Sequence, residues 1–191
     1  MKFFYSVCIA WLVIFSGNCA ASENFGLDVQ HGRFIWNVKH TGHLLQRGQW
    51  PATGTFSVDK QNPAKSYLEA KIAIDKITTG DDELDSQLRI LSSLNSQFSY
   101  AYFTSHHIQF TAENTATIHG RIHLFGMSVP IILHARFAPR DMTVPGQMKT
   151  LAFQATTLFK TKQLPAVLQP KNVSAHDQFE LEVNANLKLI G

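Results

Sequence analysis

Phe179-Glu180-Leu181-Glu182-Val183-Asn184-Ala185-Asn186-Leu187-Lys188-Leu189 places an apolar side chain at every odd position and Glu, Asn or Lys at every even one. Successive side chains of a strand point to opposite faces, so this segment is a strand with one buried and one solvated face. On a helix the same residues would scatter around the axis. The pattern recurs toward the N-terminus. Ile118, Ile122 and Leu124 oppose His119, Arg121 and His123; Leu68, Ala70, Ile72 and Ile74 oppose Glu69, Lys71 and Ala73; Phe34, Trp36, Val38 and His40 oppose Arg33, Ile35, Asn37 and Lys39. Further strands fit near Gly54 to Val58, Phe103 to Thr111, Val129 to Phe137 and Thr150 to Thr157, about eight in total.

One segment departs from period two. Thr79-Gly80-Asp81-Asp82 is a helix-capping sequence, and Leu84, Leu88 and Leu91 follow on one helical face, which predicts a single amphipathic helix from Asp82 to Leu94. Strands at this spacing joined mainly by short turns suit an antiparallel barrel or sandwich. A closed barrel is favoured, because many strands are long and no charged or Pro-rich edge strand is evident. Pro51, Pro63, Pro139, Pro145, Pro165 and Pro170 read as loop residues and Pro130 as the start of a strand. The stretch from Lys160 to Gln178 is the least regular, and its Leu164-Pro165-Ala166-Val167-Leu168 run is expected to form a flap over an opening.

The beginning of the chain reads as a targeting segment. Lys2 is a short basic region, Phe3 to Phe15 is apolar, and Ser16-Gly17-Asn18-Cys19-Ala20-Ala21 offers small residues for cleavage, so residues 1–21 are expected to be removed and 22–191 to form one domain. The apolar run is shorter than the roughly 20 residues that span a bilayer, and no later stretch qualifies, so no membrane span is expected. Lipidation of Cys19 is the alternative, disfavoured by Asn18 immediately before it. Cys8 and Cys19 would both leave with the leader, and a chain without disulfides in an oxidising compartment suits the periplasm. The chain has 191 residues, a formal net charge of +3 and 16% charged residues, with Lys and Arg scattered; dedicated nucleic-acid binding is not expected.

Several stretches resemble the YceI-like proteins, lipocalin-like antiparallel barrels of the bacterial periplasm that bind polyisoprenoid lipids. Leu27-Asp28, then His31-Gly32-Arg33-Phe34-Ile35-Trp36-Asn37-Val38-Lys39-His40-Thr41-Gly42, is similar to the family opening. Ile74-Asp75-Lys76-Ile77-Thr78-Thr79-Gly80 resembles the strand end that leads into the family's helix, and Asp85-Ser86-Gln87-Leu88 its Asp-x-x-Leu. Phe98 to Ser105 is similar to its Phe-Pro segment, with Ser99 in place of the usual Pro, and Gly120 through Gly126 to Pro130 to its long hairpin. Leu91-Ser92-Ser93-Leu94 replaces an aromatic pair, and Lys160 to Leu164 an Arg-Ser-Asp-aromatic-Gly segment. The resemblance implies an all-β, eight-stranded lipocalin-like barrel and a polyisoprenoid or isoprenoid quinone as ligand.

An eight-stranded barrel is either filled by its side chains or holds one small ligand. The residues expected to line a binding site are Phe34, Trp36, Val38, His40, Phe103, Ile122, Phe153 and Leu181, with Gly120, Ala70, Ala101, Ala135, Ala155 and Ala185 leaving room between them. The rival reading is a filled barrel that acts as an interaction module through an outer stripe of His and Arg. A zinc site built from His119, His123 and His134 would need the hairpin to bring His123 beside His134, and with Arg121 and Arg136 interleaved a solvated stripe is preferred. No nucleophile elbow, HExxH, P-loop or dinucleotide fingerprint occurs. Asp28 with His31, and Asp75 with Asp81 and Asp82, fit strand ends and helix N-termini as readily as acid–base pairs. Neither catalysis nor a cofactor is expected; a homodimer is compatible with the pattern but not specified by it.

Overall fold

The computed structural model describes residues 22–27, 33–40, 43–59, 61–139, 150–160, 163 and 178–190. The expected leader, the Asp28 and His31 pair and the expected flap fall outside the described residues. The elements run β1 Glu23–Leu27, β2 Arg33–His40, β3 His43–Val58, β4 Tyr67–Ala73, α1 Asp82–Leu94, β5 Tyr100–Ala112, β6 Thr115–Leu124, β7 Met127–Pro139, β8 Thr150–Lys160 and β9 Gln178–Leu189. The strands form one sheet in the order β1-β3-β2-β9-β8-β7-β6-β5-β4, and pairing of β3 with β4 closes it.

Nine strands make an eight-stranded antiparallel barrel because β1 and β2 share one slot between β3 and β9. Phe25 faces Phe56 and Leu189, and farther along the same groove Phe34 faces Trp50 and Val183. Closure pairs an edge that an open sheet would leave exposed. β1 and the first half of β3 extend the expected strand set. Along β3 the inward positions run Gly48, Trp50, Ala52, Gly54, Phe56, and the small residues among them carry little hydrophobic signal.

The helix spans the expected residues. The Asp81 carboxylate accepts from the amides of Glu83 and Leu84 at 3.0 and 3.1 Å and so caps the first turn. Asp85, buried one turn later, accepts from the Thr79 hydroxyl at 2.6 Å and the Thr79 amide at 2.9 Å. Leu88 is fully buried while Leu84 packs at the margin of the core, so α1 lies against the 3-10 turn Ile74–Lys76 and closes one end of the barrel. That helix end also carries the β2–β3 and β6–β7 hairpins and the β8–β9 connection; the opposite, far end carries the β5–β6 turn and the β3–β4 and β7–β8 connections.

Three prolines lie elsewhere than expected. Pro51 sits inside β3 opposite Arg33, Pro139 ends β7 opposite Leu151, and Pro130 is inside β7 rather than at its start. Proline cannot donate to a ladder, so a strand tolerates it only where that donor has no partner. The β7–β8 pairing meets this condition: it runs from Pro139↔Leu151 to His134↔Thr156 and stops, although β7 extends back to Met127 and β8 on to Lys160. The β6–β7 turn is Phe125-Gly126, both at positive φ (48° and 75°), as a two-residue hairpin with the twist of its strands requires. The Phe125 ring meets Phe98 edge-on at 5.9 Å.

Candidate functional site

The inner face of β2 and its neighbours gathers three aromatic rings toward the helix end. Trp36 lies 5.9 Å from Trp50 and stacks on Phe179 at 5.7 Å with planes 10° apart. Alternation along β2 points Trp36 inward, and its register places it between Gly48 of β3 and Leu181 of β9, with Thr157 of β8 next in the same row. Gly48 is required there: a Cβ would stand 2.4 Å from Trp36 Nε1, so only glycine lets the indole lie flat along the wall over β3. Phe103 uses Gly120 in the same way, with its Cζ 2.4 Å from the Cβ position.

Both indole N–H groups are buried and have no hydrogen-bond partner among the described residues. Trp36 is 2% exposed and Trp50 5%. An unsatisfied buried donor costs about 1–3 kcal/mol, so two of them side by side are an open demand for an acceptor. The surroundings offer little competition. Asp85 is the only Asp, Glu, Lys, Arg or His side chain in the buried set among the described residues, and Thr79 occupies it. Apolar surroundings with donors and without a cation suit a neutral acceptor oxygen on an otherwise apolar molecule.

Of the residues expected to line the site, Phe34, Trp36, Phe103, Phe153 and Leu181 are buried on the inner face, and Ile122 is half-buried against the same core. The structure does not gather them at one point. Trp36 and Leu181 adjoin the helix end, whereas Phe153 belongs to a second cluster at the far end. Val38 and His40 occupy β2 opposite Gln46 and His43, but their side chains lie outside the described residues. Trp50, Phe179 and Gly48 complete the aromatic group and were not expected from the sequence; the alternation of Gly48, Trp50, Ala52, Gly54 and Phe56 was the available signal.

The far end is packed differently. Phe56 stacks on Phe137 at 5.3 Å, Phe137 meets Phe153 at 5.4 Å, and Phe110 closes the group 6.4 Å from Phe137. Between the two clusters Ala155, Ala135 and Ala116 form a continuous row across β8, β7 and β6.

On the outside, His107 and His119 face each other across the ladder with rings 5.8 Å apart, and a bulge at Ser105/His107 brings His106 to 6.4 Å from His119. The proximity of His123 and His134 that a zinc site would need does not occur: because the hairpin turns at Phe125-Gly126, His123 pairs with Ser128 and His134 with Thr117. Among the described residues no group of three or more His, Cys, Asp or Glu could hold a metal ion. Asp81, one of the acidic residues near the helix start, is the helix cap, and Asp75 is exposed.

A barrel closed by β3–β4, with its helix between β4 and β5, is matched by the description of a YceI-like domain over residues 25–187. The chain belongs to the YceI-like family. Among its relatives is a UPF0312 protein of Ectopseudomonas mendocina, 28% identical over 150 residues that cover 76% of this chain and 78% of the relative. Two solved structures share the fold: Campylobacter jejuni YceI protein (TM-score 0.63, 15% identity, 80% of this chain and 90% of that one) and a polyisoprenoid binding domain from Saccharophagus degradans implicated in plant cell wall breakdown (TM-score 0.60, 13% identity, 87% and 98%). Within this YceI-like barrel the paired indole donors are a local feature of β2 and β3.

Proposed function

We propose that the protein is a non-catalytic carrier that holds one amphiphilic lipid, a polyisoprenoid or an isoprenoid quinone, inside the barrel. The observation that carries this reading is the pair of buried, unpartnered indole donors of Trp36 and Trp50 in an otherwise apolar interior. A neutral oxygen on the ligand would accept from them, and the rest of the ligand would be held by burial, at roughly 0.8 kcal/mol per CH₂. Family membership and the Saccharophagus degradans domain support a lipid as the ligand class. The basic and apolar pattern of Lys2 and Phe3 to Phe15 supports export to the periplasm, where a hydrophobic molecule needs a soluble shell to cross water.

Native mass spectrometry of freshly purified protein tests this reading. A co-purified lipid mass, or stoichiometric uptake of added isoprenoid, is the expected result. A strictly apo mass with no uptake returns the barrel to the filled, interaction-module reading. That second reading has its own observation, the outer group of His106, His107 and His119. N-terminal sequencing of exported protein is expected to begin near Ala21 or Ser22, and an intact Met1 on that protein overturns the export reading.

A further inference from the structure

The wall of the barrel is not equally closed all round. Beyond His134↔Thr156 the two strands β7 and β8 both continue, β8 still paired with β9 as far as Lys160↔Gln178 and β7 still paired with β6 as far as Met127↔Leu124, yet they no longer pair with each other. Were the ladder to continue in register, Ile132 would face Leu158 and Pro130 would face Lys160. Pro130 has no N–H to give. In place of a ladder there is a groove of about 600 Å³, within the range of small-molecule sites.

The groove belongs to both sides of the wall. Pro130, Ile132 and Leu158 line it from the outer face, where Ile132 is 44% and Leu158 61% exposed. Ile131 and Thr157 line it as well, and both are buried on the inner face. Thr157 stands in the same cross-strand row as Leu181 and Trp36, so the floor of the groove lies two strands along the inner face from one of the unpartnered donors. A ladder of backbone hydrogen bonds would have to break for a chain to pass between strands elsewhere along these pairings; here none has to.

We propose that the gap between β7 and β8 is a lateral portal through which the apolar chain of an amphiphile reaches the barrel interior. The proposal rests on the lipid-binding reading and adds the route. The rim is mixed: Pro130, Ile132 and Leu158 give the chain an apolar surface to slide over, His106, His119, His134 and Gln163 beside them suit the polar head of an amphiphile, and Trp36 lies inward, two strands from Thr157.

The test uses the full chain with Cys8→Ser and Cys19→Ser, into which Leu158→Cys is introduced; a second version carries Ile132→Cys. Each is coupled to a polyethylene-glycol maleimide, and binding of decylubiquinone is followed by quenching of tryptophan fluorescence. The control carries the same label at Ile190→Cys, an equally exposed site at the far end. Circular dichroism confirms that each labelled protein is folded. Labels at Leu158→Cys and Ile132→Cys are expected to slow uptake about tenfold or more, as blocked gating does, and the Ile190→Cys label to leave it unchanged. Equal rates with all three labels overturn the portal and leave the carrier standing. Absence of binding by the folded, unlabelled proteins overturns the carrier, and the portal with it.

Discussion

The two ends of the barrel are both aromatic and both buried, yet they are built for different ends. At the far end Phe56, Phe137, Phe153 and Phe110 present only carbon to one another, in stacked and tilted pairs 5.3 to 6.4 Å apart. Every contact there contributes apolar burial and leaves no polar group wanting. At the helix end Trp36 and Trp50 bury similar ring area but also two N–H groups without acceptors. The larger indole rings add burial, but each nitrogen adds a desolvation cost that a phenyl ring does not carry. The comparison teaches that the far end is packed as a plug of carbon; under the proposed function the helix end is where the ligand is received.

Phe153→Ala should have the largest effect. It deletes a ring that is 1% exposed from the plug, and denaturant unfolding should show a loss of about 3–5 kcal/mol. Binding of decylubiquinone by the fraction still folded should change little. A strong loss of affinity at unchanged stability would erase the distinction between plug and site.

Gly48→Ala comes next. The added Cβ would meet the Trp36 ring at 2.4 Å, so the indole has to leave the wall. Overpacking of this kind costs about 1–3 kcal/mol. Because the displaced ring is one of the two donors, affinity should fall together with stability, unlike at Phe153. Retained affinity would show that the Trp36 position is not part of the site.

Asp81→Ala removes the helix cap and should cost about 1 kcal/mol by denaturant unfolding. Amide exchange should quicken in α1 first, while the plug stays protected. Uniform loss of protection would show that the two ends unfold as one unit.

The smallest effect is the most telling, because it separates stability from binding. Trp36→Phe and Trp50→Phe each remove an unpartnered donor but also part of a buried ring, and these oppose each other, so apo stability should change by no more than about 1–2 kcal/mol. Affinity for decylubiquinone should drop severalfold, the worth of one hydrogen bond of about 0.5–1.5 kcal/mol. Loss of stability with no change in affinity would make the tryptophans part of an ordinary core.

Much of the fold was legible before any coordinates, for reasons visible in particular residues. The alternation at Phe179 to Leu189 became β9, and the Asp81 cap with Leu84 and Leu88 became α1 over the expected residues. The candidate site was legible only in part. Trp36 and Leu181 were read from alternation, but Trp50 was missed because its inward neighbours are Gly48, Ala52 and Gly54, which contribute almost no hydrophobic signal. Pro130 reads in the sequence as a strand start, whereas in the fold it lies where β7 has no partner in β8.

The sequence by itself determined which side chains face inward, because a period of two is a property of the strand and needs no partner. It also determined where the one helix begins, because capping is local. Tertiary structure alone decided that β1 and β2 share a slot, that Trp36 rests on Gly48, and that Thr157 joins the row of Trp36 while its strand parts from β7. Each of these depends on register between strands far apart in the chain, and register is settled only when all the strands close on one another.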